Sequence, residues 1–220
     1  MLPVLYSFRR CPYAMRARYI LALLDISVYL REVVLTSKPP ELLALGGRSS
    51  VPQLIDIDGT RYPESLDIIS WALSRSDDQK KVDRLWPTNN IQRNRMKVWI
   101  AYNDHFFKLW LDRYKYADRY PEFSESYYRK KGEVFLRRLD KRLCRNGFLF
   151  GENVSVVDIA LFPFVRQFSG VNQEWFELSQ YDNVKRWLAG FVNSEIFKSV
   201  VMMKHAAWEA GQEDIHYPAN

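Results

Sequence analysis

The chain changes its hydrophobic period once, and that change bounds what it can fold into. Over the first 75 or so residues, short runs rich in branched side chains alternate with helix-like stretches; from Ile91 onward every long segment repeats at the helical spacing of three and four. A polar tract, Ser74 to Asp83, and the turn-rich WPTNN of Trp86 to Asn90 separate the two regimes. We therefore expect an α/β domain over 1–76, a linker over 77–90 and an all-helical domain over 91–220. At 220 residues the chain is long enough to bury a substantial core in either part.

Within the first part, Val4 to Phe8 reads as a strand. Pro12 opens a helix running through Tyr13 to Leu24, because the first helical position needs no N–H partner. Val28 to Leu35 returns as a strand, and a strand, helix and strand in that order imply a right-handed parallel crossover. A short helix follows, opened by Pro39 and Pro40 and stopped by Gly46 and Gly47. Asp58 and Gly59 supply the turn of a hairpin between LIDI and TRY, and Leu66 to Leu73 is a third helix. The sum is a βαβ-α-ββα mixed sheet. In the second part, Met96, Trp99, Asn103, Phe106, Trp110 and Tyr114 form a helical stripe, and further helices are expected over 124–144, 155–168, 184–193 and 195–210.

Composition narrows the function classes. No apolar stretch is long enough to span a bilayer, and MLPVLYSFRRC lacks the basic start and cleavage site of a signal peptide. Two distant cysteines, Cys11 and Cys144, match neither a disulfide framework nor a zinc spacing, which fits a reducing cytoplasm; His105, His205 and His216 are too scattered to mark a metal site, so no metal is expected. The net charge of +6 equals the basic surplus of the single segment Arg129 to Arg145. Phe135, Leu136, Leu139 and Leu143 recur there at helical spacing, so its cations occupy the opposite face. We read that face as a solvated surface rather than a stripe for nucleic acid.

The chemistry concentrates in FRRCPYAMRAR, Phe8 to Arg18. A thiol at a helix N-terminus faces unpaired N–H groups and the positive end of the macrodipole, and both favour thiolate; Arg9 and Arg10 add positive potential. An ordinary thiol of pKa about 8.5 is about 3% ionised at pH 7, whereas one lowered to about 6 is roughly 90% ionised, a gain of about thirtyfold in nucleophile. Cys11 is therefore the candidate nucleophile, and Cys144, on the apolar side of its basic helix, reads as a core cysteine. A dithiol exchanger needs a second cysteine at position 14; this chain has Ala14, so an external thiol must complete any cycle.

CPYA in a βα unit, SVPQL, the pair Glu64-Ser65 opening a helix and an all-helical second half together resemble the glutathione transferase family across essentially the whole chain. CPYA is similar to the cysteine-type members, omega-like, lambda-like or glutaredoxin-related. The resemblance implies a thioredoxin-like N-terminal domain, a helical-bundle C-terminal domain and glutathione as co-substrate. It implies a cis Pro52 that presents the backbone of Val51 to the cysteinyl part of glutathione, with Glu64 and Ser65 at the γ-glutamyl end. Where many members carry a lysine before the valine, this chain has Ser50, and Arg48 is the candidate substitute for the glycine carboxylate. The family's architecture also makes Tyr13, Tyr102, Phe106 and Trp110 candidates for the wall of a second-substrate pocket. Homodimers and monomers both occur among such relatives, and the residues leave both open.

Ser155 and Asp158 stand at capping-box spacing, which we read as folding chemistry rather than a general base. The expected activity is thiol transfer to a small disulfide or glutathionylated substrate, with conjugation of electrophiles as a side reaction. The alternative is a catalytically silent member of the same fold acting as an interaction module through its basic Arg129 to Arg145 face.

Overall fold

The computed structural model describes residues 1–218. Strand β1 (Val4–Ser7) passes through a turn at 8–11 into α1 (Pro12–Leu23), and β2 (Val28–Glu32) returns parallel to β1 with Leu5 opposite Leu30. The short α2 (Pro40–Ala44) leads to β3 (Gln53–Ile55), antiparallel to β1, and the Asp58-Gly59 turn delivers β4 (Arg61–Tyr62) back along β3. Gly59 sits at φ +86°, a conformation that only glycine adopts cheaply. Helix α3 (Ser65–Arg75) follows. The order anticipated from the sequence is the order found.

A fifth strand was not anticipated. β5 (Ile215–Tyr217) pairs antiparallel with β2, giving the sheet order β4-β3-β1-β2-β5. The described chain forms two compact units, one of Met1–Gln79 with the residues from Ser194 onward, the other Lys80–Asn193. The helix expected over 195–210 is present only as a π-helical segment, Ile196–Val201; beyond it the chain runs extended toward β5. Helical propensity in that stretch yields to pairing with the sheet.

Alternating positions of β2 serve the two faces of the sheet. Val28 and Leu30 are fully buried on the side of α1 and α3, which pack together. On the other face Tyr6, Val33, Leu42 and Val51 form an apolar cluster closed by Trp208. Helix α1 is buried almost all round, its Arg16 and Arg18 included.

The second unit is helical. The polar tract read as a linker contains α4 (Gln79–Leu85), whose Val82 and Leu85 are buried. The stripe from Ile91 forms α5 (Asn90–Tyr102) and α6 (Lys108–Lys115), joined without a break by a π-helical turn, Asn103–Phe107. The expected helices at 124–144, 155–168 and 184–193 are α7 (Glu125–Leu143), α8 (Val156–Ser169) and α10 (Asp182–Val192); α9 (Gln173–Leu178) was not foreseen. Helix α8 is the unit's axis, buried without interruption from Val156 to Val165. Phe107 stacks on Phe135 at 4.4 Å and meets Phe168 at 5.2 Å. Gly132 permits this approach, since a Cβ there would stand 2.4 Å from the Phe168 ring. Cys144, expected in the core, is exposed: it caps α7, one residue past buried Leu143 and so about 100° further round the helix.

Candidate functional site

Cys11 is the N-cap of α1, extended at φ −75° and ψ 123°, with Pro12 as the first helical residue. The turn before it closes when the Cys11 N–H donates to the Phe8 carbonyl at 2.9 Å. No side-chain bond caps this helix start. The thiol is half-buried, and among the described residues neither cysteine is in a disulfide. Its Sγ donates to the carbonyl of Val51 at 3.6 Å, so the fold brings together two of the residues singled out in the sequence, forty positions apart. The Val51–Pro52 peptide is cis. Arg16, buried, turns back toward the helix start, its guanidinium 5.2 Å from the centre of the half-buried Tyr13 ring.

The loop leading to Val51 is held from below. Gln53, fully buried, donates from Nε2 to the carbonyls of Ser50 (2.7 Å) and Arg48 (3.0 Å), while its Oε1 accepts from Arg61 at 2.8 Å. Arg61 also donates to the carbonyls of Leu45 and Gly46. Arg48 is thus fixed by its backbone while its side chain is exposed. Gln53 and Arg61 escaped the sequence reading because nothing in a strand pattern marks a side chain that braces a loop.

Glu64 is the N-cap of α3 and makes no side-chain cap bond; it is exposed, and Ser65, first in the helix, is buried. An ordinary capping role for the Glu64 carboxylate is therefore not what this helix uses. It remains a solvent-facing anion beside the donor end of α3.

Tyr102, Phe106 and Trp110 lie in the helical unit as a half-buried aromatic row. Tyr102 and Phe106 stack at 4.8 Å, and Phe106 meets Trp110 edge-on at 6.4 Å. The basic face of α7 is partly claimed by rings of its own unit. Arg138 lies over Tyr102, Lys131 over Trp110 and Tyr127, Arg129 over Trp175, and Arg142 over Phe150. The same unit has a cleft of about 580 Å³ lined by Lys115, Arg166, Glu177 and Lys185 among others; none of the residues singled out in the sequence borders it.

Asp158 is fully buried and accepts from the Leu149 and Ser155 N–H groups, the Ser155 hydroxyl and the Trp187 indole at 2.6–3.0 Å. Burial pushes its carboxyl up, and these donors pull against the rise. All four partners are structural, so the reading as folding chemistry stands. Among the described residues no group of three or more acidic, histidine or cysteine side chains could hold a metal, and no helix is long and apolar enough to cross a membrane.

Comparison with known proteins identifies the family. Residues 5–80 match the glutathione S-transferase N-terminal domain and residues 128–190 the C-terminal domain of the same family. A Nicotiana plumbaginifolia protein named "Probable glutathione S-transferase MSR-1" is 28% identical over 173 residues, 75% of this chain and 73% of its own. Glutaredoxin 2 of Escherichia coli K12 is 27% identical over 197 residues, 76% of this chain and 87% of its own. The crystal structure of a glutathione S-transferase from Methylobacillus flagellatus KT, with GSH bound, superposes at a TM-score of 0.72 and 25% identity, over 90% of this chain and 98% of that one. Two domain matches in the family's order, together spanning well over half of the residues, settle the assignment: the chain belongs to the glutathione S-transferase family.

Proposed function

We propose that the protein is a glutathione-dependent thiol transferase with Cys11 as its nucleophile. The observation that carries this reading is the position of Cys11 Sγ, at the N-terminus of α1 and against the Val51 carbonyl. The GSH-bound relative supports glutathione as the ligand. The likeness to glutaredoxin 2 supports thiol–disulfide chemistry.

In this reading glutathione lies along Val51 as an added strand, the N–H and C=O of Val51 pairing with its cysteinyl portion. Ser65 offers its hydroxyl and backbone N–H to the γ-glutamyl carboxylate at the start of α3, an eleven-residue helix whose donor end favours anions. Glu64 accepts from the ligand's ammonium, and Arg48 supplies a cation for the glycine carboxylate. Within the first unit, Tyr13 is the apolar surface assigned to the second substrate.

The Cys11 thiolate attacks the glutathionyl sulfur of a mixed disulfide, forming a Cys11–glutathione disulfide and expelling the substrate thiolate. A second glutathione thiolate attacks that disulfide, releasing oxidised glutathione and restoring the Cys11 thiolate. With Ala14 in place of a second cysteine, no neighbour in the motif competes for this resolving step. The thiol's bond to Val51 favours the protonated form and the helix terminus the ionised one. A terminus contributes about 0.3–1 kcal/mol at exposed sites and up to about 2 when partly buried, and S–H is only a weak donor.

The experiment is a Cys11→Ser variant assayed with 2-hydroxyethyl disulfide and glutathione. Turnover should fall by at least about a hundredfold, nearly 3 kcal/mol in the barrier. Undiminished turnover rejects the assignment. The interaction-module reading loses ground because Arg129, Lys131, Arg138 and Arg142 already lie against rings of their own unit.

A further inference from the structure

Residues 202–217 form a strap along the edge of the first unit's sheet, fastened on both faces of β2. On one face Arg31 donates to the Tyr6 hydroxyl at 2.8 Å, pairs with Asp214 at 3.2 Å and lies 4.1 Å over the Trp208 ring. On the other, Arg9 and Arg18 donate to the carbonyls of Met202 and Met203, each at 3.3 Å. Between them the Trp208 N–H donates to the Glu32 carbonyl at 2.8 Å, and the Tyr217 hydroxyl donates to the Arg18 carbonyl at 2.7 Å.

Two of these fastenings reach the backbone stretches that flank the thiol. The Glu32 carboxylate takes the backbone N–H of Arg9, two residues before Cys11, on Oε1 at 2.7 Å, and the Arg18 guanidinium on Oε2 at 3.1 Å. The second is Trp208, buried in the same apolar cluster as Val51, the residue whose carbonyl meets Sγ. A buried ion pair is weak grounds for stability, since apolar replacements often hold a fold as well. Glu32 and Arg18 do something an apolar pair could not: they join α1, the turn before Cys11 and the strap through directional bonds.

We propose that the strap is a working part of the thiol site, with Glu32 as a positioning residue that sets the Cys11 turn and Trp208 as the prop beneath Val51. This rests on the reading of Cys11 as the nucleophile. It adds that the far end of the chain, nearly two hundred residues away, determines how well the α1 terminus faces the sulfur. A loosened turn would move Cys11 off the helix axis and return its ionisation toward that of an ordinary thiol.

The test uses full-length protein carrying Cys144→Ser, so that Cys11 is the sole thiol, and follows iodoacetamide alkylation against pH. Glu32→Gln keeps an acceptor for the Arg9 N–H, while its amide nitrogen replaces the oxygen that took Arg18. With the bond to the turn before Cys11 kept and the negative charge gone, its midpoint should lie at or below that of the parent. Glu32→Ala removes the acceptor as well, and its midpoint should rise by about half a pH unit or more. Both variants moving together, or neither moving, overturns the positioning role. Should Glu32→Ala not fold, Trp208→Ala decides: the midpoint rises and the glutathione dissociation constant increases about tenfold, roughly 1.4 kcal/mol, with Trp208→Phe restoring both. Parent-like values in Trp208→Ala overturn the proposal. A parent midpoint at the ordinary 8.5 instead defeats the nucleophile reading; the glutathione dissociation constants of the Trp208 variants then decide the strap alone, and a parent that binds no glutathione leaves the strap no site to serve and defeats it too.

Discussion

Two helix starts in this chain solve the same electrostatic problem in opposite ways. At α8, Ser155 and Asp158 form a reciprocal capping box, and Asp158 additionally takes the Leu149 amide and the Trp187 indole. Every acceptor site is spent on the protein's own donors. At α1 the residue in the capping position is Cys11, followed by proline, and no side chain caps the helix; at α3, Glu64 likewise leaves its carboxylate uncommitted to the helix. A saturated terminus is folding chemistry. A terminus without a side-chain cap, beside a half-buried thiol, is what the proposed thiol chemistry requires.

The contrast can be broken by removing each side of it. Asp158→Ala should have the largest effect on stability, because buried N–H groups of Leu149, Ser155 and Trp187 lose their acceptor at about 1–3 kcal/mol each. Denaturant unfolding should show a loss of roughly 3 kcal/mol or more, with the glutathione dissociation constant unchanged in the fraction that remains folded. Gly132→Ala should follow, costing about 1–3 kcal/mol as the Phe168 ring is forced from Phe107. Glu64→Ala should do the reverse. Its side chain caps nothing and is exposed, so thermal stability should hold while KM for glutathione rises about tenfold, roughly 1.4 kcal/mol. A stability loss without a KM change would return Glu64 to an ordinary helix cap.

The smallest effect concerns His205, in the strap. Burial, and then the charges of Arg18 and Arg9, hold its pKa below the usual 6.5. A histidine depressed in the folded state contributes stability that is present above its unfolded pKa and is lost as pH falls from there through the folded value. Thermal stability should therefore decline more shallowly below about pH 6.5 in His205→Gln than in the parent. Parallel slopes would show that His205 is not what the strap loses to acid.

Local signals carried most of the fold. The proline opening α1, the Asp58-Gly59 turn and the helical stripe from Ile91 each act within a few residues, and each produced its element. The strap was illegible for the opposite reason. Its bonds join Trp208 to Glu32 and Tyr217 to Arg18, and no period in 202–214 announces them; the helix-favouring composition there points to a different structure. Nothing local in the sequence marks Arg16 and Arg18 as buried, yet both are, and Arg18 finds Glu32 on β2 and a carbonyl at Met203. Cys144 illustrates a finer limit: one position at a helix end separates core from solvent. For the candidate site, Cys11 was legible because a thiol before a helix-opening proline has few other uses, and Val51 only through the family resemblance that SVPQL carries. Gln53 and Arg61, which brace the loop, were not, because bracing leaves no pattern.

The account stands on the ionisation of one sulfur. In full-length protein carrying Cys144→Ser, the rate of iodoacetamide alkylation should reach half its plateau clearly below pH 8.5, the value of an ordinary thiol. A midpoint at 8.5 or above would mean that the α1 terminus does not act on Cys11, and the catalytic reading would fail.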